Sequence, residues 1–144
     1  MLTLGLPLAS QAQALVEPET PLVNQYIADS YQPRSDAWWD ALSQQLAAPV
    51  QDEAMKVDEA SLRNIIFFAS HHGDKVTLDD TVLSLVEIYR SHADDRFRML
   101  ALVALHAIGD KNGMYRVYQS IKQEPSERVR RLSKAAVKDY YAAL

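Results

Sequence analysis

Apolar residues recur along the chain at the three- and four-residue spacing of helices, in seven separate runs. Leu22, Val23, Tyr26 and Ile27 form the first stripe and predict a helix over about 20–31. Trp38, Trp39, Leu42 and Leu46 predict a second over 35–47, with Ser35 or Asp36 placed to cap it and Pro49 to end it. After the polar linker 51–58, Leu62, Ile65, Ile66 and Ala69 predict a third helix over 59–72, broken by the His-Gly-Asp-Lys run at 72–75. Leu78, Val82, Leu85, Val86 and Tyr89 mark a fourth over 78–91, with Thr77 as its cap. The fifth covers 95–108. The sixth, 112–123, carries Met114, Val117, Tyr118 and Ile121 and stops before Pro125, and the seventh runs over 126–142 from Ser126. No alternating strand pattern closes on an Asn-Gly or Asp-Gly turn, and glycine occurs only 4 times, so the expected class is all-α. At 144 residues one domain is expected, with a core that removes roughly 70% of the unfolded chain's surface from water.

The fifth helix is apolar nearly all round. On a helical wheel Phe97, Leu100, Ala101, Ala104, Leu105 and Ile108 share one side, which is its core face. The opposite side carries Arg96, Met99, Leu102, Val103 and His106, a ridge that one buried face does not explain. The run RFRMLALVAL at 96–105 superposes on RVRRLSKAAV at 128–137 at an offset of 32. SLRNIIFFAS at 61–70 superposes on the fifth helix at an offset of 35, with Leu62, Arg63, Ile65 and Ala69 in matching places. Self-similarity at a period in the thirties points to stacked helical hairpins.

The runs DDRFRMLALVALHAIGD at 94–110 and PSERVRRLSKAAV at 125–137 resemble the second helix of HEAT-type repeats: an acidic turn, then an Arg-bearing apolar helix ending Ile-Gly-Asp. The resemblance implies a right-handed α-solenoid of about three HEAT-like hairpins, 35–72, 78–108 and 112–142, behind an N-terminal capping helix at 20–31. It further implies a ladder between repeats built on Asp94 and Arg98, with Arg63 and Arg130 matching the arginine. Glu59 and Ser126 stand at the Asp position, so the ladder would be discontinuous. HEAT-like proteins line a concave groove with their second helices. The resemblance therefore implies a partner surface of Phe67, Phe68, Met99, Leu102, Val103 and His106, turning basic at Arg131, Lys134 and Lys138. Such a surface suits a peptide or helix of another protein. The competing expectation is that the helix at 20–31 folds over the ridge, or that three repeats curve too little to expose it, and the ridge is core.

Charge adds a second surface. Residues 1–95 hold 5 Lys/Arg against 15 Asp/Glu (−10), and residues 96–144 hold 10 against 4 (+6), within a net charge of −4. The last helix concentrates Arg128, Arg130, Arg131, Lys134 and Lys138, which makes a nucleic acid or other polyanion the alternative partner. No aromatic interleaves that basic face, and the chain as a whole is acidic.

The chain has no cysteine, which excludes disulfides, a thiol nucleophile and a Cys-based zinc site. The run Leu2 to Ala9 followed by Ala12-Gln13-Ala14 fits the end of a secretory signal and its cleavage site, without the basic segment that precedes one. Residues 1–14 are therefore expected to be a signal-peptide remnant, and 15–144 a single domain of a periplasmic or secreted protein, with a cytoplasmic protein as the alternative. The apolar run is too short to span a bilayer as a helix. Asp79-Asp80 and Asp94-Asp95 fall at helix starts, where carboxylates meet the positive end of the dipole, so they need no catalytic reading. His71 and His106 sit one helix apart, too far to share a metal. No phosphate loop, serine elbow or zinc-protease motif is present. The expectation is a non-enzymatic binding protein without cofactor or metal.

Overall fold

The computed structural model describes residues 7–9, 11, 19–29, 31–52 and 56–144, and Ala12-Gln13-Ala14 lies outside them. Seven α-helices form the described chain, with no strand among these residues: α1 Pro21–Ala28, α2 Asp36–Gln51, α3 Glu59–His72, α4 Val82–Ser91, α5 Asp95–Ile108, α6 Lys111–Ser120 and α7 Glu127–Ala142. Six begin on a side-chain cap that accepts a backbone N–H: Thr20, Ser35, Asp58, Asp94, Asp110 and Ser126. Each satisfies an N–H that the helix itself leaves orphaned. Asp58 also accepts the Ser61 hydroxyl at 2.6 Å, and these bonds hold its carboxyl below the ordinary range.

The third helix spans 59–72 as expected, but α1 ends at Ala28 and α6 at Ser120, each three residues short of expectation, and two other boundaries and the cap of α3 also differ. The second helix does not end before Pro49 but runs on to Gln51, where Asp52 N–H closes the turn on Ala48 O at 3.1 Å. Pro49 removes only the bond to Gln45, whose exposed position leaves that carbonyl to water. The fourth helix starts at Val82, after a 3-10 turn over Asp79–Thr81 tied by the Thr81 hydroxyl to Leu78 O at 2.6 Å. Thr77 is therefore not its cap; its N–H instead bonds Ser43 Oγ at 3.0 Å. In α3 the cap is Asp58, so Glu59 is the first helical residue and not the counterpart of Asp94.

Packing follows the order of the chain. Within the expected hairpins α2 meets α3, α4 meets α5 and α6 meets α7. Across them α2 meets α4, α4 meets α6, α3 meets α5 and α5 meets α7. The α1 helix lies on α3, and the Thr20 hydroxyl donates to Asn64 Oδ1. Gly109, at φ 71°, ends α5 in the left-handed conformation that a side chain disfavours. Gly113 lets α6 start close to its neighbours: a Cβ there would fall 2.9 Å from Val82 Cγ1. One continuous core results, with Leu62, Ile65, Phe68, Leu85, Leu100, Leu105, Met114, Val117 and Leu132 fully enclosed.

Candidate interaction surface

The ridge of α5 is not a surface. Met99 is 5% exposed, Leu102 0% and Val103 4%. The cause is the number of neighbours: α5 packs on α4 behind it and on α3 and α7 beside it, so positions opposite its first core face also meet helices. Leu8 packs against the same core. On α3 the cover is α1. Tyr26 enters a ring cluster with Trp38, Trp39, Phe67, Phe68 and His72, at centroid distances of 5.1–6.3 Å. Phe68 is buried there and Phe67 half-buried, stacked on His71 at 4.4 Å. His106 is half-buried and faces Asp139 of α7, with Nε2 2.7 Å from the carboxylate. The expected concave site of Phe67, Phe68, Met99, Leu102, Val103 and His106 is thus corrected: four of the six are core or close to it, and His106 links two helices. Arg131, Lys134 and Lys138 do remain exposed on α7, Arg131 within 3.5 Å of Glu127.

The expected ladder is corrected in its partners. Asp94 spends its carboxylate on Arg96 N–H at 2.8 Å, as a cap. Arg98 is buried. Its Nε donates to Tyr89 O at 2.8 Å, its Nη2 to the buried carboxylate of Glu124, and its Nη1 lies 3.7 Å from Asp95. Arg130 reaches the Glu124 carbonyl at 3.3 Å and the Glu127 carboxylate. Glu124, ahead of α7, therefore joins both arginines. Other ties across hairpins are Arg96 to Glu59 at 2.6 Å and the Ser126 hydroxyl to Asp95 at 2.7 Å. Beside them Ser133 Oγ donates to Val129 O at 2.7 Å, so in the 2.7 Å Tyr89–Ser133 pair the phenol is the donor. Burial raises the Tyr89 pKa and keeps it able to donate.

Burial among the rings, then the neighbouring His71 charge, lowers the His72 pKa below the ordinary histidine value of 6.5; Asp74 opposes the shift. The folded chain therefore binds this proton less readily than the unfolded chain. The stability His72 confers is present above the unfolded value of about 6.5 and is lost as pH falls from there through the lower folded-state value. The melting temperature should drop between pH 7.5 and 5.5, and drop less in His72→Phe, which keeps the ring packing. Equal pH slopes in the two chains, read by circular dichroism, would contradict this.

Of the large apolar side chains that remain exposed among the described residues, Ile27 and Tyr31 lie on and just after α1, Tyr141 and Leu144 at the C-terminal end, and the other three on the first helices of two hairpins. Leu83 on α4 is 65% exposed, and Tyr115 and Tyr118 on α6 are 52% and 55% exposed. Leu83 and Tyr115 border a groove of about 540 Å³ that also reaches Asp79, Asp110 and Arg116. The two tyrosine rings stack at 6.3 Å, as i,i+3 neighbours do. The expectation placed Tyr118 in the buried stripe and passed over Leu83. The signal was present in the wheel, since Leu83 falls off the stripe of Val82, Leu85, Val86 and Tyr89. No helix among the described residues is long and apolar enough to cross a membrane, and none of these residues form a cluster of three or more candidate metal ligands. Comparison with protein-family models, curated proteins and solved structures finds no match.

Proposed function

We propose that the chain is a non-enzymatic protein-binding scaffold of the HEAT-like kind, a right-handed solenoid of the hairpins 35–72, 78–108 and 112–142 capped by α1. The order of helix contacts supports this reading, because first helices meet first helices and second helices meet second helices. The observation that carries the binding role is the exposed trio Leu83, Tyr115 and Tyr118 beside an open groove. Large apolar side chains gathered at a polar-rimmed concavity mark docking sites. Two carboxylates and one guanidinium at the groove favour a partner segment with an apolar anchor and a flanking Lys or Arg. Export past a cleavage after Ala14 belongs to the same proposal, and N-terminal sequencing of the native protein tests it.

A second reading rests on the exposed Arg131, Lys134 and Lys138, which would meet a polyanion. Three phosphate contacts would give a log–log salt slope of only about −2.7 on duplex DNA. Cross-linked capture from the native cell separates the two. Leu83→Glu with Tyr115→Glu should lose a partner that wild type captures, while Arg131→Glu with Lys134→Glu and Lys138→Glu retains it. Both variants alter exposed positions and should melt within a few degrees of wild type. The reverse pattern, with binding that weakens as salt rises, would replace the groove by the polyanion surface.

A further inference from the structure

A second concavity, of about 340 Å³, lies between α1, the turn that follows it and α2. Its apolar wall is Tyr26, Trp38, Leu42 and Phe68. Arg34 lines the same space, and its surroundings are unusual for a cation. The guanidinium carbon sits 4.7 Å from the Trp38 ring centroid and 5.8 Å from that of Tyr26. Stacking on two rings removes water from its faces. Among the described residues, one of its five N–H donors reaches a protein acceptor, Asp29 O at 3.3 Å, and the buried Nε has no hydrogen-bond partner. Among the described residues no carboxylate stands within ion-pair distance of it. A partly desolvated guanidinium with free donors favours an anion as its counterpart.

We propose that this pocket binds a carboxylate carried on an aromatic or aliphatic group. The apolar wall takes the body of the ligand, and the free edge of Arg34 takes the acid. Gln25 and Gln45, also lining the pocket, supply amides for a neighbouring amide or hydroxyl. The ligand is a monoanion, because one guanidinium opposes one charge. The volume fits one side chain of about phenylalanine size, at the lower end of known ligand sites. Two sources supply this chemistry: a free small acid, or the C-terminal residue of another polypeptide. The pocket is separate from the α4–α6 groove, and its role does not rest on that surface.

The chain has only two tryptophans, Trp38 and Trp39, so its intrinsic fluorescence reports on this place. Titration of the full chain with N-acetylphenylalanine should give a saturable fluorescence change. The matching amide should bind at least tenfold more weakly. Arg34→Gln, with an unchanged melting temperature, should lose the preference for the acid. If Arg34→Gln fails to fold, the acid-against-amide comparison on wild type decides. A short peptide ending in phenylalanine carboxylate, binding tenfold or more tighter than the free acid, assigns the site to a chain terminus; equal binding assigns it to a small acid. Acid and amide binding alike, or neither perturbing the tryptophans, would overturn the proposal, as would a folded Arg34→Gln that keeps the preference.

Discussion

Met99→Asp combined with Val103→Asp is expected to unfold the chain. Both side chains lie in the core, at 5% and 4% exposure. Each substitution forfeits about 1.5–3 kcal/mol of apolar burial. Each also places a carboxyl where no donor has been provided; it must stay ionised in an apolar site or take up a proton at a free-energy cost. Together these terms reach several kcal/mol, against a domain stability of about 5–15 kcal/mol. Circular dichroism at 25 °C should show lost helicity, or a melting temperature lowered by well over ten degrees. A double variant with wild-type helicity and melting would mean that the ridge faces solvent. In that case the concave groove returns as the docking surface, and the α4–α6 patch loses its place.

That experiment tests the point at which reading the chain alone went astray. A helical wheel locates residues around one axis but does not count the helices that surround it. Phe97, Leu100 and Ala104 look buried from any repeat pattern. Whether Met99 and Val103 are buried depends on α3 and α7 closing in from the two sides, and no spacing within 95–108 encodes that. Local signals transferred well, because their physics is local. Ser35 and Ser126 cap where they stand because the accepting oxygen and the orphan N–H lie three residues apart. Pro49 misled for the complementary reason: a proline in the last turn costs little when the freed carbonyl faces water.

The candidate sites divide along the same line. Lys134 and Lys138 were readable as exposed because lysine is seldom fully buried. The groove of Leu83 and Tyr115 joins residues on α4 and α6 that meet only after two hairpins have packed. The Arg34 pocket similarly needs Tyr26 of α1 folded against Trp38 of α2. Ring clusters, counter-ions and their absence are properties of tertiary placement, and the chain shows the participating residue types without their pairing.

The same dependence applies to Glu124, a buried carboxylate that joins two arginines. It precedes α7 by three residues, lies 26 residues from Arg98, and no repeat register singles it out. Its side chain is 4% exposed and that of Arg98 10%. Glu124→Ala should destabilise the chain by about 3 kcal/mol, the lower end of the range for breaking a buried pair, because Arg98 keeps Tyr89 O and the more distant Asp95. In urea this appears as a lower midpoint at unchanged slope. The stronger test is the double variant Arg98→Met with Glu124→Leu. A buried ion pair recovers in Coulomb energy roughly what it lost in hydration, so an apolar pair of similar volume should restore most of the stability that Glu124→Ala removes. If the double variant is as unstable as Glu124→Ala, the pair contributes more than mutual neutralisation. It would then be the bonds lost with these side chains, from Arg98 to Tyr89 O and from Ser126 N–H to the Glu124 carboxylate, that hold α4, α5 and the start of α7 in place.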